Sequence, residues 1–268
     1  MIQHVGKLFN GVRSFNMLNI LIFLANAIVG FIVGACGISG FLLPMFYAGF
    51  TSFTIGESLT LSYWAFLLSG VLAMVGCKEG IAREKGTLGF LCIASAIGAV
   101  FGVKLNSFIS PQNVKIILYV VVLLAGISII IMGRKKKEKH EERSRLLDSK
   151  VFMFVFGLVT ATVCAIGGSG GPILVMPLLA ALGMEVHVAM AVGLLDSLFV
   201  SVPAFVGYIR GVDVQSLVMY MVMIVFSYGL FTLIGRKFSS RVPSAPLKRA
   251  VGIFSVLIAI YMLWTVFA

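Results

Sequence analysis

The sequence is organised around one glycine-rich stretch, Ile166-Gly167-Gly168-Ser169-Gly170-Gly171-Pro172-Ile173-Leu174-Val175-Met176-Pro177. It lies within apolar sequence, yet its four glycines and two prolines disfavour an unbroken helix. A fainter copy, Cys36-Gly37-Ile38-Ser39-Gly40-Phe41-Leu42-Leu43-Pro44, occurs in the first half of the chain. Irregular backbone at membrane depth is tolerated only where protein buries it or a water-filled cavity solvates it. The pattern therefore predicts two breaks beside a transport pathway, and the alternative is that the glycines only let helices pack closely.

The composition indicates a polytopic membrane protein. Of the 268 residues, 60% are hydrophobic and 12% are charged, and the mean hydropathy is +1.08. A soluble domain would carry about twice that share of charge. The net charge of +11 is not a nucleic-acid signal, because eight of the 21 Lys and Arg residues lie between Arg134 and Lys150. Such clustering is typical of a cytoplasmic loop.

The two halves of the chain match in more than hydropathy. Gly76 and Gly80 correspond to Gly207 and Gly211, and Gly102, Lys104 and Lys115 correspond to Gly235, Lys237 and Lys248. This internal duplication predicts an all-α fold with two homologous repeats of five segments each. The first repeat covers residues 1–133, a charged cytoplasmic linker covers 134–150, and the second repeat covers 151–268. Apolar segments are predicted at 17–35, 41–55, 58–77, 87–105, 114–132, 151–167, 172–183, 187–208, 214–235 and 248–267.

The topology depends on the short segments 41–55 and 172–183, which are below the roughly 20 residues of a full span. If they cross, each half has five passes and the halves are inverted; if they only re-enter, each half has four passes and the halves are parallel. Ten passes place 16 basic residues inside and five outside, whereas eight passes give 14 and seven. The positive-inside rule therefore favours the inverted arrangement, with short or broken helices after the glycine motifs.

The glycine motifs are predicted to bind a small anion. A helix that begins after a break exposes unpaired N–H groups and the positive end of its dipole. Paired broken helices from two repeats commonly form the site of a secondary transporter. No Cys/His spacing indicates a metal site, and no cofactor is expected. The predicted substrate-binding residues are Gly37, Ser39, Gly40, Gly167, Gly168, Ser169, Gly170 and Gly171.

Asp196 is a carboxylate deep inside a predicted span, and an intramembrane acid is a functional hypothesis by default. We predict that it couples transport to protons. The alternative is a structural Asp that is hydrogen-bonded to Ser197, Ser201 or a neighbouring helix. Further residues could line the cavity: Cys36, Ser62, Tyr63 and Cys164.

These residues resemble the TauE/SafE family of sulfite and organosulfonate exporters, also called toluene-sulfonate uptake permeases. The family motif is a glycine run followed by apolar residues, a Pro and then a Gly. The second half fits it with Gly167, Gly168, Gly170, Gly171, Pro177 and Gly183, whereas Ile38 and Ser39 interrupt the run in the first half. The resemblance covers nearly the whole chain and implies a multi-pass protein of the bacterial inner membrane.

We therefore expect a secondary transporter rather than an enzyme. The resemblance implies that the cargo is a small sulfur-containing anion, such as sulfite or a sulfonate, moved outward, and Asp196 suggests proton coupling. The expected partners are this anion and the lipid bilayer, without nucleic acid. The alternatives are an uptake permease or channel for another small anion, or a membrane-embedded enzyme. A nucleotide site is not expected, because the sequence contains no Walker motif.

Overall fold

The computed structural model describes residues 2–37, 40–76, 84–134, 144–168, 170, 172–239 and 244–267, and these residues form helices without a strand. The all-α prediction is confirmed. The helices are α1 Ile2–Cys36, α2 Leu42–Phe50, α3 Ile55–Gly76, α4 Lys85–Asn106, α5 Pro111–Arg134, α6 Lys150–Gly167, α7 Pro172–Ala181, α8 Val186–Ile209, α9 Val214–Ile224, α10 Leu230–Phe238 and α11 Ser244–Phe267. A short 3₁₀ helix, Arg145–Asp148, precedes α6, and a π-helical segment, Val225–Gly229, joins α9 to α10.

Eight stretches in the described part of the chain are long and apolar enough to cross a membrane. They lie in α1, α3, α4, α5, α6, α8 and α11 and in the continuous helix Val214–Phe238 formed by α9, the π segment and α10. Helices α2 and α7 have nine and ten residues. At 1.5 Å per residue each covers about half of the roughly 30 Å hydrocarbon core. The segments predicted at 41–55 and 172–183 thus contain helices too short to span alone.

Both glycine motifs begin with a glycine in the left-handed backbone conformation. Gly37 follows α1 with a φ of 70°, and Gly168 follows α6 with a φ of 65°. The Gly37 N–H donates to the Val33 carbonyl at 2.7 Å, and the Gly168 N–H donates to the Cys164 carbonyl. A left-handed glycine after the last turn is a common way to end a helix. Gly37 and Gly168 are related by the same sequence offset as Gly76 and Gly207, which is what the predicted duplication requires.

Each short helix runs back along the long helix that precedes it. In the first half, the Tyr47 hydroxyl of α2 donates to Asn26 Oδ1 of α1 at 2.8 Å, although Asn26 lies well before the end of α1. In the second half, the Ser144 N–H, just before α6, donates to the Leu182 carbonyl, just after α7, at 3.0 Å. The α1–α2 and α6–α7 pairs are therefore hairpins with a break at each tip.

Equivalent helices of the two halves run in opposite directions. Gly70 of α3 packs against Leu198 of α8, whereas the earlier Trp64 packs against the later Phe205 with ring centroids 5.3 Å apart. Helices α5 and α11 cross in the same way, because Gly126 faces Ser255 and the later Ile130 faces the earlier Gly252. These directions are the ones that two inverted halves would have.

The two halves interlock through close helix pairs. Gly98 and Gly102 of α4 lie against Leu158 and Thr162 of α6, and Gly34 of α1 lies against Thr232 of α10. A Cβ on Gly34 or Gly98 would collide with a backbone carbonyl of the partner helix. Glycines at this spacing let helices approach closely in a membrane. The first helix of each hairpin is thus packed on the fourth segment of the other half.

We predict that the C-terminus is extracytoplasmic and that the linker around Lys136 is cytoplasmic. The physical reason is the excess of basic residues on the linker side, combined with the helix directions, which put the end of α11 on the opposite side. A cysteine appended after Ala268 and a Lys136→Cys variant, each in a cysteine-free background, would be labelled in intact cells with a membrane-impermeant maleimide. The appended cysteine should react and Lys136→Cys should not. A protected C-terminus would contradict the inverted arrangement.

Candidate functional site

The two breaks converge at the centre of the bundle. Gly40 and Gly170 both lie against Phe66, and an ideal Cβ on these glycines would stand 2.8 Å and 3.3 Å from the ring. The same Cβ on Gly170 would stand 3.4 Å from Ser197 Oγ. Phe66 is near the middle of α3 and Ser197 is near the middle of α8. The central crossing of α3 and α8 therefore holds the two glycine motifs together.

The N-termini of α2 and α7 both start at this central crossing. Helix α2 begins at Leu42, just after Gly40, and α7 begins at Pro172, just after Gly170. First-turn N–H groups have no acceptor within a helix, and the positive end of the dipole lies there. Proline is well suited to the first position of α7, because its missing N–H would have been unpaired. Two such termini that begin at the same helix crossing favour an anion there.

The predicted binding residues divide into those the structure places and those it does not. Gly37, Gly40, Gly167, Gly168 and Gly170 lie at the hairpin tips. Ser39, Ser169 and Gly171 lie outside the described residues, as does Ile38. Their expected contacts with an anion therefore remain predictions.

The residues proposed as cavity-lining are all buried. Cys164 Sγ is 4.0 Å from the Gly170 carbonyl oxygen, which places the thiol at the second break. Cys36 ends α1 beside the first break. The Ser62 hydroxyl donates to the Ser58 carbonyl of its own helix at 2.7 Å. Among these residues, Cys36 and Cys164 are therefore the ones that adjoin the breaks.

The carbonyl end of α6 receives hydrogen bonds from three other helices. The Tyr63 hydroxyl of α3 donates to the Cys164 carbonyl at 2.7 Å, and the Tyr208 hydroxyl of α8 donates to the Ala165 carbonyl at 2.8 Å. The Asn106 amide of α4 donates to the Ile166 carbonyl at 3.0 Å. The last carbonyls of a helix lack donors within the helix, and an unpaired carbonyl is costly in a membrane; the Cys164 carbonyl also accepts from the Gly168 N–H. The donors hold the tip of the second hairpin in place.

Sequence reasoning named Tyr63 only as a possible cavity residue and did not identify Tyr208 or Asn106. The two tyrosine rings stack with centroids 5.8 Å apart and an interplanar angle of 6°, so they act as one unit. The available signal was a polar atom at or near the end of an apolar span. That signal does not reveal which carbonyl a side chain will reach.

Asp196 is fully buried in α8, next to Ser197. Ser95 and Cys92 of α4 are its polar neighbours, but the Ser95 hydroxyl lies 3.4 Å from the Gly157 carbonyl, which it can donate to instead. Neither carboxyl oxygen has a hydrogen-bond partner of ordinary geometry in the described part of the chain. The structural alternative was an Asp bonded to Ser197, Ser201 or a neighbouring helix; no bond to Ser197 or Ser201 is seen, whereas Ser95 of the neighbouring α4 lies beside the carboxyl group. A charged carboxylate left unpaired in this setting is costly, so the site favours a bound proton or cation.

Alanine substitutions at Gly168 and Gly170 should have different effects. At Gly168 the positive φ and the contact with Leu59 disfavour any side chain, so Gly168→Ala should destabilise the fold by about 1–2 kcal/mol. At Gly170 a Cβ fits between Phe66 and Ser197 after a shift of a few tenths of an ångström. Gly170→Ala should therefore keep the melting temperature while it narrows the central crossing and weakens anion binding. Thermal melting in detergent, without and with sulfite, checks both statements. A larger stability loss for Gly170→Ala than for Gly168→Ala would contradict the geometry.

Comparison with known proteins agrees with the resemblance read from the motifs. A sequence model of the family described as sulfite exporter TauE/SafE matches residues 22–262. The probable membrane transporter protein YdhB of Bacillus subtilis (strain 168) is 27% identical over 242 residues, which cover 88% of this chain and 95% of that protein. No solved structure matches the chain. The protein is therefore a multi-pass membrane transporter, and it belongs to the sulfite exporter TauE/SafE family.

Proposed function

We propose that the protein is a secondary transporter that exports a small sulfur-containing anion, such as sulfite or a sulfonate, in exchange for or together with protons. The observation that carries the proposal is the convergence of the α2 and α7 N-termini on Phe66 and Ser197. Two helix N-termini from the two halves would place backbone donors around one anion without a fixed cationic side chain. The family supplies the expectation of a sulfur oxyanion and of export.

Phe66 has to move before an anion can contact both helix termini. Its ring lies between Gly40 and Gly170, close to the Cβ position of each. At the offset that relates Gly37 to Gly168, the position of the second half that corresponds to Phe66 is Ser197. One repeat therefore places a ring at the central crossing and the other places a hydroxyl. Movement of one repeat relative to the other, as in alternating access, would withdraw the ring and let one anion contact both termini.

Flux through reconstituted protein tests the proposal. Proteoliposomes would be loaded with sulfite, methanesulfonate or chloride, and efflux would be followed with and without an imposed pH gradient. We expect saturable sulfite or sulfonate efflux that responds to the gradient. Efflux that neither saturates with anion concentration nor changes with the pH gradient would instead indicate a channel. Absence of flux for both sulfur anions, with chloride moving, would reject the substrate class.

We predict that Asp196→Asn keeps the fold and sulfite binding but abolishes the response of transport to a pH gradient. The carboxyl group is buried beside Ser95 without a hydrogen bond of ordinary geometry among the described residues, and an amide oxygen can still accept from that hydroxyl. The asparagine amide has a similar volume but, unlike a carboxylate, does not bind and release a proton near neutral pH. The measurement is sulfite efflux against pH gradient in proteoliposomes.

Asp213→Asn is the matched control for this prediction. Asp213 is an exposed carboxylate that caps α9, where Oδ1 accepts from the Gln215 N–H at 3.1 Å. This change also replaces a carboxylate by an amide, but outside the spans, and it should leave the gradient response intact. If Asp196→Asn responds to the gradient as the unchanged protein does, Asp196 is not the coupling residue.

A further inference from the structure

Tyr228, like Asp196, is a buried polar side chain without a hydrogen-bond partner of ordinary geometry among the described residues. The residue is fully buried, and its hydroxyl has no hydrogen-bond partner within the described ranges. It belongs to the π segment Val225–Gly229 between α9 and α10. Single π turns inside long helices are frequent at functional sites. A tyrosine hydroxyl buried in an apolar span needs an acceptor, because the unpaired group is costly.

The backbone, and not the hydroxyl, fixes the position of Tyr228. Gly30 of α1 packs directly on the Tyr228 backbone, since a Cβ on that glycine would stand 2.6 Å from the Tyr228 carbonyl oxygen. The same carbonyl accepts from the Thr232 hydroxyl at 2.7 Å, and the Ser227 hydroxyl donates to the Met223 carbonyl at 2.7 Å. The backbone of Tyr228 is therefore held in place, while its hydroxyl makes no hydrogen bond of ordinary geometry among the described residues.

The neighbours of the Tyr228 hydroxyl already use their own donors elsewhere. Tyr47 of α2 and Ser69 of α3 lie beside it. The Tyr47 hydroxyl donates to Asn26 Oδ1 at 2.8 Å, and the Ser69 hydroxyl donates to the Phe66 carbonyl at 2.9 Å. The cluster thus connects the α1–α2 hairpin with Phe66 at the central crossing. Ser69 Oγ could also accept from the Tyr228 hydroxyl, but no hydrogen bond of ordinary geometry joins them, so within this cluster the Tyr228 O–H remains available to another acceptor.

The duplication shows how the two halves differ at this position. Asp196 corresponds to Ala65 at the offset that relates Gly37 to Gly168, and Tyr228 corresponds to Ser95 at the slightly larger offset that relates Gly102 to Gly235. The second-half α8 therefore carries an acid next to a serine of α4. The corresponding pair is Ala65 on α3 and Tyr228 of the π segment. The site at Asp196 suits a proton, whereas the site at Tyr228 suits a hydrogen-bond acceptor.

We propose that Tyr228 donates a hydrogen bond to an oxygen of a small oxyanion, in a subsite that Tyr47 and Ser69 border beside the first hairpin. The inference rests on the proposed transport of a sulfur oxyanion and names a side chain that would recognise it. An anionic oxygen is the acceptor that the buried hydroxyl lacks, and a bond to a charged group is stronger than one between neutral groups. In this reading Asp196 handles the proton and Tyr228 handles the anion, so the two do not compete.

Substitution by phenylalanine tests the subsite, with sulfite as the probe. Tyr228→Phe removes a buried hydroxyl that makes no hydrogen bond of ordinary geometry, so the melting temperature without ligand should stay the same or rise. Sulfite affinity should fall by about 10- to 100-fold, as expected for loss of one hydrogen bond to a charged acceptor. Tyr47→Phe is the stability control and should lower the melting temperature, because it leaves Asn26 Oδ1 without its donor. Tyr261→Phe, at an exposed position of α11, should change neither quantity.

Each outcome supports or overturns the subsite. If sulfite binds the unchanged protein and Tyr228→Phe binds it equally well, the subsite is wrong and the proposed transport function stands. If Tyr228→Phe loses as much thermal stability as Tyr47→Phe, the hydroxyl has a structural partner and the inference fails without reference to ligand. If the unchanged protein binds neither sulfite nor methanesulfonate, the proposed function fails, and the subsite fails with it.

Discussion

The structure depends on one constraint: backbone that is broken inside a membrane must find hydrogen-bond partners within the protein. At the end of α6 the Gly168 N–H and three side chains supply them. The side chains come from α3, α8 and α4, so satisfaction of one helix end determines which helices surround it. Helices α2 and α7 begin at the central crossing, where the Leu43 N–H of α2 already donates to the Gly40 carbonyl at 3.0 Å. In the proposed function, a bound anion satisfies the remaining first-turn N–H groups in the same way that the side chains satisfy the carbonyls.

Positions that the predicted duplication pairs carry unequal chemistry in the two halves. The left-handed glycines Gly37 and Gly168 occupy equivalent positions, and the interlocking helix pairs repeat as well. The side-chain donors at the end of α6 are not repeated in the first half. The positions that correspond to Tyr63, Tyr208 and Asn106 are Leu194, Cys77 and Ser239. The two tyrosines that cap the second break have no counterpart at the first. The second hairpin is therefore the one whose carbonyl end accepts from tyrosines of other helices, and the first is the one that borders Tyr228.

The sequence predicted the elements that local composition controls. Apolar runs, clustered basic residues and paired glycine motifs were enough for the membrane class, the helix positions and the two breaks. The predicted segments 41–55 and 172–183 extend beyond α2 and α7: the first includes the turn Thr51-Ser52-Phe53-Thr54, where the Thr51 hydroxyl donates to the Tyr47 carbonyl, and the second includes Leu182 and Gly183 after the last helical residue. The carbonyl donors and the π segment were not predictable, because each depends on which helices pack together. Nothing in Val225-Phe226-Ser227-Tyr228-Gly229 distinguishes a π turn from an α-helix before Gly30 and Thr232 are known to pack there.

The central claim is that the two short helices jointly bind one small oxyanion at the crossing of α3 and α8. Selenite has the charge and shape of sulfite, and selenium scatters anomalously, so it can be located directly. The decisive measurement is the anomalous difference density of crystals grown with selenite. The account predicts one peak per molecule between the N-termini of α2 and α7, within hydrogen-bonding distance of their first-turn N–H groups and near Ser197. Density only at the protein surface, at selenite concentrations that saturate binding in solution, would contradict it.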